Sequence, residues 1–301
     1  MKKLILFCLI TTLTFFVTSA QEVNEPTSRE KNSVYNKEKH ITKKMQPYTE
    51  LREADIMWSR KIWREIDLRQ KINHPFYYPE NDGVGHTIND RKSLIDVIYS
   101  AIQEGAITAY GNATMDDEFR SPMTTEEIKS IGGAKVTIDE AVNWDKVAQG
   151  MSEEEAMEKK VTETPFNRNT VKKWRVKEEW FFDKQRSVMD VRIIGLAPLQ
   201  EDKDEVTGQL TGTFSPLFWV WFEEAREVLI NAPAFNLVKN DAERRTYDDI
   251  FWKRMFGSTI VKEANVMDRK VNEYMIGLDA LLEADRIKAE IFNLEHDLWE
   301  Y

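Results

Sequence analysis

Histidine is the side chain of this sequence best suited to metal binding or to proton transfer near neutral pH. The chain has four histidines, and its only cysteine is Cys8. Zinc sites need ligands that converge at defined spacings, and the histidines show no such spacing and have no cysteine beside them. The sequence therefore predicts no metal site and a structural or surface role for His40, His74, His86 and His296.

Other reactive constellations are equally weak. Asp202-Lys203-Asp204 differs from a calcium loop because Val206 takes a ligand position and Thr207 the place of the required glycine. Gly83-Val84-Gly85 lacks the next glycine and the preceding strand of a nucleotide-binding motif. No serine lies in a Gly-x-Ser-x-Gly elbow, and carboxylates are too numerous for an acid/base pair to be singled out. We predict no catalytic residue, no cofactor and no enzymatic activity.

Aromatic side chains beside charged ones are the feature that stands out. Core packing is the default explanation, because tryptophan is highly buried on average. A second reading is that some of them anchor protein interfaces, where aromatic residues and arginine are enriched. A pocket for a sugar or a peptide is the third. The candidate partner-binding residues are Trp58, Trp63, Tyr77, Tyr78, Trp180, Trp252, Trp299 and Tyr301.

The first aromatic group lies in a segment predicted to be a helix over about residues 50–72. Trp58, Ile62 and Ile66 recur every fourth residue and would line one face of that helix. Asn73-His74-Pro75 would end it, because the residue before a proline is pushed out of the helical region. The following Phe76-Tyr77-Tyr78-Pro79 is predicted to be extended.

Capping signals predict three more helices before the middle of the chain. One follows an N-cap at Asn89 or Asp90 and stops at Gly105, after which residues 107–110 form a short strand. Two others begin at capping boxes, whose residues are Thr124 with Glu127 and Ser152 with Glu155.

The middle of the chain changes to strand character. Residues 174–182, 188–196 and 217–222 are rich in β-branched and aromatic residues and are separated by polar turns. Met189, Val191 and Ile193 would share one face of the second strand. The predicted fold class is α+β, an antiparallel β-meander packed with several helices and flanked by helical N- and C-terminal parts.

The last third is predicted to be helical. Thr246 would cap a helix over residues 247–256. A longer helix would carry Ala284, Ile287, Ile291, Leu294 and Leu298 on one face, which packs on the core or on a partner. The terminal Trp299-Glu300-Tyr301 has no polar tail, so we predict that it is docked.

The N-terminus predicts export. Lys2 and Lys3, an apolar stretch over residues 4–17 and the small residues Thr18-Ser19-Ala20 have the layout of a secretory signal peptide, residues 1–20. Residues 21–47 are polar and predict a flexible tether. Residues 48–301 are predicted to form the globular part, as one domain or as two subdomains over about 48–165 and 166–301.

Net charge and hydropathy narrow the classes of partner that this chain is expected to bind. The formal net charge of −10 disfavours nucleic acid as a partner. No apolar stretch beyond residue 20 is long enough to span a bilayer. Cys8 lies within the apolar part of the leader, where it could not carry a lipid, so the mature chain is predicted to be without a membrane anchor of its own.

Three stretches of the chain resemble one known family. They are residues 58–75 running on into Tyr77-Tyr78-Pro79, the strand pair 180–187 and 191–195, and a C-terminal set made of residues 249–256, Ser258, Asn265 and 295–301. These stretches resemble the GldN/PorN family of type IX secretion and gliding-motility components. Together they extend over nearly the whole mature chain.

The resemblance implies a structural subunit in the periplasm, attached to the outer membrane through a partner lipoprotein of the GldK/PorK type. It implies a homo-oligomeric ring with that lipoprotein and contact with the periplasmic part of a GldM/PorM-type inner-membrane motor protein. It carries over no catalytic or cofactor residue. The alternative is a periplasmic glycan-binding or hydrolytic envelope protein, which the acidic composition and the tryptophans would also fit.

Overall fold

The computed structural model describes residues 43–80, 91–111, 117–131, 135–142, 157–164, 166–203, 209–236, 240, 243 and 245–298. Its strands, in chain order, are β1 (Ile56–Asp67), β2 (Ala109–Tyr110), β3 (Lys135–Val142), β4 (Met157–Thr164), β5 (Val171–Asp183), β6 (Val188–Lys203), β7 (Leu210–Pro216), β8 (Trp219–Trp221) and β9 (Thr259–Glu263). Seven of them form one antiparallel sheet in the order β2-β8-β6-β5-β1-β9, with β7 also paired to β6. β3 and β4 form a separate antiparallel hairpin.

The described helices are α1 (His74–Tyr77), α2 (Leu94–Gln103), α3 (Thr125–Lys129), α4 (Phe222–Leu229), α5 (Tyr247–Trp252), α6 (Val271–Tyr274) and α7 (Leu278–Asp297). The α+β class is therefore confirmed. The helical C-terminal part is present, but the chain enters the fold as a strand.

The prediction of a helix over residues 50–72 is wrong. Residues 56–67 form β1, which pairs with β5 on one side and with β9 on the other. A spacing of four places Trp58, Ile62 and Ile66 on one face of a strand as well as of a helix, because four is a multiple of the strand period. Arg60 and Arg64 lie on that same face, so the alternation of apolar and polar residues is hidden in the sequence.

Helices cover one face of the sheet. Cross-strand pairs place Ile66 opposite Trp174 and Leu196 opposite Val176, and these residues belong to the largest apolar cluster, together with residues of α2, α4 and α5. Ile62 on the same face joins a second cluster with Ile260 and residues of α6 and α7. The opposite face carries a smaller cluster built on Trp63, Ala197 and Trp219.

Most element signals beyond β1 have a counterpart, with shifted ends. The strand predictions for 174–182 and 188–196 are confirmed by β5 and β6, and Met189 and Ile193 are buried. The third strand is shorter than predicted, because Phe222 already begins α4. Trp221, the last residue of this strand, is exposed. Phe76 and Tyr77, predicted as extended, lie in α1, and the backbone becomes extended only at Tyr78.

The capping signals are confirmed where the structure describes them. Thr124 and Thr246 each begin a helix with a capping box. The N-cap of α2 is Ser93 rather than a residue near 90, and the helix stops before Gly105, which has a φ of 74°. Asn89, Asp90 and the box at Ser152 lie outside the described residues.

The two predicted C-terminal helices differ from expectation mainly at their ends. The first, α5, ends at Trp252 rather than at residue 256. In α7 the predicted Ala284, Ile287 and Ile291 are buried, whereas Leu298 beyond its end is exposed.

A buried carboxylate lies between the two clusters of the helix-covered face. Glu178 on β5 is 0% exposed and lies opposite Ile62. Its Oε2 accepts from the Arg254 guanidinium at 2.8 Å, and its Oε1 accepts from Arg64 at 3.4 Å and from the Trp180 indole at 2.9 Å. Burial lowers the pKa of Arg64, although the charge of Glu178 opposes this. The network thus joins β1 and β5 to the segment after α5.

Arg254 reaches this carboxylate from an unusual backbone position. It has a φ of 51°, in the left-handed region that normally favours glycine. The Met255 amide donates to the carbonyl of Ile250 and the Arg254 amide to that of Phe251, which closes the end of α5. An arginine holds a position that glycine usually takes, and its side chain pairs with Glu178.

Substitution of Glu178 tests this network. We expect Glu178→Gln to lower the free energy of unfolding by about 3–5 kcal/mol, because it leaves the charges of Arg64 and Arg254 without their buried counter-ion. Urea denaturation measures the change. Glu179→Gln, one residue along on the opposite face, is the control and should stay within about 0.5 kcal/mol of the parent chain. Equal losses in the two variants would contradict a special role for Glu178.

Candidate functional site

An extended segment at the start of the described chain, residues 43–50, lies against the folded part; we call it the strap. Lys43 forms an ion pair with Asp249 at 2.7 Å, in the first turn of α5. The carbonyl oxygen of Gln46 accepts a hydrogen bond from Arg226 at 3.0 Å, and that of Thr49 accepts one from Arg192. The last residues of the predicted tether therefore contact the fold.

The centre of the strap is held by aromatic and cationic groups. The ring of Tyr48 stacks on that of Trp252, with centroids 5.3 Å apart and planes 22° apart. The guanidinium carbon of Arg226 lies 4.5 Å from the Tyr48 centroid and 5.0 Å from the Trp252 centroid. Such contacts between a cation and aromatic faces stabilise by roughly 0.5–2 kcal/mol. The guanidinium carbon of Arg192 also lies 4.8 Å from the Tyr48 centroid.

Arg226 on α4 is the anchor beneath the strap. It is 0% exposed, and its Nε donates to Oδ1 of Asp248 at 2.8 Å. A buried arginine needs a counter-ion and further acceptors, and here the strap supplies one of them through Gln46. Removing the strap would thus leave a buried donor without its acceptor.

Burial and charge at the strap shift the pKa values of Tyr48 and Asp249. Burial raises the pKa of the Tyr48 phenol, and the positive charge of Arg226 only partly offsets it. At Asp249 burial also disfavours the charged form, but the hydrogen bonds from Lys43 and Thr246 outweigh it, so the pKa of this carboxyl lies below its ordinary value. The contacts of the strap therefore favour the ionised form of Asp249.

A cavity of about 460 Å³ opens beside the strap. Its walls include the rings of Tyr48 and Trp252 and the polar side chains of Arg186, Asp190 and Arg254. Asp190 is the one acidic residue among its described lining residues, and it is paired with Arg186 at 3.3 Å. Glycoside hydrolysis by the common route needs two facing carboxyl groups, and these walls offer one.

A smaller cavity of about 180 Å³ lies on the opposite face of the sheet, at Trp63. The indole Nε1 of Trp63 donates to Asp117 at 2.8 Å, and the Lys262 ammonium lies 4.3 Å from its ring centroid. The Lys177 ammonium donates to the Asp117 carbonyl at 2.6 Å, and burial lowers its pKa although Asp117 opposes the shift. The described lining of this cavity thus combines the rings of Trp63 and Trp219 with charged side chains, of which Asp117, Arg175 and Lys262 are paired.

Gly195 on β6 leaves room for the ring of Phe119, which packs on the aromatic residues of this face. A Cβ at this position would lie 2.4 Å from Cζ of Phe119, closer than any side chain tolerates. The Phe119 ring packs edge-on against Trp219, with centroids 6.3 Å apart. A glycine is therefore required where the 117–120 loop approaches the sheet.

The structure separates the candidate aromatic residues rather than gathering them at one site. Trp58 and Trp180 pack, half-buried, against the second cluster, and Trp63 is buried in the third. Tyr77 is half-buried and Tyr78 is 37% exposed, and their rings meet edge-on. Of the six described candidates, Trp252 is the most exposed.

Trp299 and Tyr301 lie outside the described residues, so their predicted docking remains a prediction. The sequence reasoning also missed the charged residues that organise these sites. They are Arg226, Arg254, Arg192, Glu178 and Asp248. The sequence places Glu178, a carboxylate, within the apolar and aromatic pattern of a predicted strand. That pattern does not indicate which residue pairs with it.

Two findings concern metals and membranes. Among the described residues, no three His, Cys, Asp or Glu side chains come together as a set that could hold a metal ion. Within the same ranges, none of the helices combines the length and the apolar character needed to cross a membrane.

The strap contact can be tested by proteolysis. We expect Trp252→Ala to speed chymotrypsin cleavage after Tyr48 about tenfold under native conditions, because the stacking and cation–π contacts that hold the strap are lost. Mass spectrometry identifies the product that begins at Thr49. Trp221→Ala is the matched control, since Trp221 is similarly exposed but lies on β8, and its cleavage rate should not change. Equal acceleration in both variants would mean that Trp252 does not hold the strap.

The Lys43–Asp249 pair predicts a pH dependence. The pKa of Asp249 is lower in the folded chain than in the unfolded chain, so its stabilisation is present above the unfolded value of about 3.9 and is lost as the pH falls through the folded value. Lys43→Met should raise the Asp249 pKa, measured by carboxyl NMR titration, and reduce the stability difference between neutral pH and acid. Lys44→Met is the control, and an unchanged Asp249 pKa in Lys43→Met would contradict the pairing.

Comparison with known proteins shows to which family the chain belongs. The model of a family described as "Gliding motility associated protein GldN" matches residues 51–300. The comparison with curated proteins gives no match. The matched range includes every strand of the sheet, the Glu178 network and the described residues that hold the strap from below, Arg192, Arg226 and Trp252. Since this match extends over most of the sequence, the chain belongs to the GldN family of gliding-motility-associated proteins.

Proposed function

We propose that this chain is a non-enzymatic structural subunit of the type IX protein secretion system. The match to the GldN family over residues 51–300 is the observation that carries the proposal. In this proposal the subunit forms a periplasmic ring with a lipoprotein of the GldK/PorK type. It couples to a GldM/PorM-type motor protein for secretion and gliding. Residues 1–20 serve as its signal peptide, and the lipoprotein attaches it to the outer membrane.

The geometry of the described residues supports a role in binding rather than in catalysis. The charged groups that are buried, such as Glu178 and Arg226, are paired with opposite charges in arrangements that hold strands, helices and strap together. The strap cavity has a single acidic wall residue, Asp190, which is itself paired. Scaffold function needs such fixed surfaces and no reacting group.

We also propose that residues 48–301 form one domain. β1 comes from the first of the two predicted subdomains, yet it pairs with β5 and β9 of the second. A split at about residue 165 would divide the sheet and leave Ile62 and Ile66 without the partners that bury them. The sheet therefore favours one domain over two.

The alternative of a glycan-binding envelope protein has one observation in its favour. The strap cavity combines the rings of Tyr48 and Trp252 with Arg186 and Asp190, and aromatic faces with polar neighbours are suited to sugars. Hydrolysis is less well supported, because these walls lack a second carboxylate. Binding of soluble peptidoglycan fragments, measured by calorimetry, would favour this alternative.

Isolation of the native complex tests the proposed function. A tagged chain, extracted from the envelope of its own host in mild detergent, should bring down a lipoprotein of the GldK/PorK type and show rings by electron microscopy. Trp252→Ala should reduce recovery of the lipoprotein several-fold if this exposed tryptophan anchors the interface, because such residues dominate binding energy. Trp221→Ala is the matched control. A chain that elutes alone, without lipoprotein or motor protein, would overturn the proposal.

A further inference from the structure

Helix α7 presents apolar residues on two sides, and only one of them is covered by the residues that the structure describes. Ala280, Ala284, Ile287 and Ile291 face the second cluster. Four large apolar residues lie elsewhere around the helix: Leu278 is 69% exposed, Leu281 54%, Leu282 58% and Phe292 65%. At 100° per residue, this second set is centred roughly 100° or more from the buried one. An amphipathic helix at a protein surface needs only one such stripe.

The exposed stripe has a regular spacing. Leu278, Leu281, Asp285, Lys288 and Phe292 recur at alternating steps of three and four, the spacing of a coiled-coil seam. We call these five residues the seam. The pattern extends over about two heptads, which is too short for a stable coiled coil in isolation. Paired with another helix while α7 is fixed on its domain, it is long enough to define a register.

The charged residues of α7 differ in whether they have an ion-pair partner among the described residues. Arg286 pairs with Glu283 and Glu290, and Glu290 also pairs with Arg60 of β1 at 3.1 Å. Asp285 and Lys288, the two charged residues of the seam, have no ion-pair partner within the described part of the chain and are exposed. The seam therefore offers one acid and one base in the middle of an apolar stripe.

These charges are complementary to a second copy of the same helix in antiparallel orientation. In antiparallel helix pairs, a and d positions alternate across the seam. With a two-fold axis between residues 286 and 287, Leu281 lies opposite residue 292 of the second copy, and Asp285 lies opposite residue 288. The symmetry repeats both contacts, so two apolar pairs and two opposite-charge pairs form at once. At the ends, Leu278 lies opposite residue 295.

A parallel arrangement would be disfavoured. It would place the two copies of Asp285 against each other and the two copies of Lys288 against each other. Like charges in facing positions destabilise an interface, so the sequence of the seam selects one orientation. The same argument disfavours an uncharged apolar groove as the partner, because it would bury Asp285 and Lys288 without counter-ions.

We propose that the seam of α7 is a contact between two copies of this chain, paired antiparallel about a two-fold axis. This inference rests on the proposed function, because it names a surface through which subunits of the assembly would meet. The seam offers five residues per copy, fewer than the roughly 20–30 residues per side of a standard interface. The pairing is therefore weak in dilute solution and strengthens where copies are held close together. A two-fold contact closes at two copies, so it joins subunits in pairs, and a ring needs a second contact between the pairs.

Charge exchange tests the register. Sedimentation velocity over a series of concentrations measures self-association of the purified chain. Asp285→Lys and Lys288→Asp should each weaken association at least tenfold, because each turns two attractions into two repulsions. The double variant Asp285→Lys/Lys288→Asp should restore it, because the pairs are then reversed. Asp279→Lys, at the start of α7 and outside the seam, is the control and should leave association unchanged. Failure of the double variant to recover would overturn the antiparallel register.

Disulfide trapping gives a second measurement. Cys8 is the only cysteine, so a Cys8→Ser background allows engineered thiols to be read alone. A mixture of Leu281→Cys chains with Phe292→Cys chains should form a disulfide-linked pair under mild oxidation, whereas neither variant should do so alone. Each chain then carries a single thiol, so a bond within a chain cannot mimic the result. Linkage within each variant alone, or none in the mixture, would overturn the proposal.

The two proposals fail in different ways. A chain that stays monomeric at all concentrations, but loses the co-purifying lipoprotein when Leu281 or Phe292 is changed, would assign the seam to the lipoprotein and overturn the contact between copies. The proposed role in secretion would stand in that case. A chain that forms the antiparallel pair but recovers no secretion component from its host would support the contact and overturn the proposed function.

Discussion

The need to neutralise one buried carboxylate constrains the centre of this fold. Glu178 has no access to water, and an unpaired charge in such a place would cost several kcal/mol. Arg64 brings β1 to it, and Arg254 brings the segment after α5 to it. The same helix-covered face carries the largest apolar cluster on one side of Glu178 and the cluster of α6 and α7 on the other. The network therefore links two apolar clusters that share no buried residue.

The same principle recurs at the strap. Arg226 is as inaccessible as Glu178, and Asp248, Tyr48, Trp252 and the backbone of Gln46 surround it. A segment without regular secondary structure is thereby fixed to the protein through cationic side chains rather than through an apolar face. These contacts fix the first described residues of the chain on the fold.

Charge pairing also shows which surfaces are complete. On α7, Glu290 is paired with Arg60 of the sheet and Arg286 with Glu283, whereas Asp285 and Lys288 among exposed apolar residues have no ion-pair partner in the part of the chain that the structure describes. A protein of the GldN family is expected to meet other subunits of a secretion machine, and such unpaired charges on an apolar stripe are suited to that use. Among the described charged residues of α7, Glu283, Arg286 and Glu290 are paired within the chain, and Asp285 and Lys288 belong to the proposed contact between copies.

The sequence by itself determined the elements whose signals are local. The capping boxes at Thr124 and Thr246, the alternation in β6 and the α+β class follow from residues a few positions apart, because hydrogen bonds of caps and the two-residue strand period act at that range. The aromatic candidates were also identified locally, but their separation into core and surface was not. β1 could not be recognised, because Arg60 and Arg64 occupy its apolar face. Only the tertiary structure supplies Glu263 and Glu178, more than a hundred residues away, which make these charges acceptable in a strand.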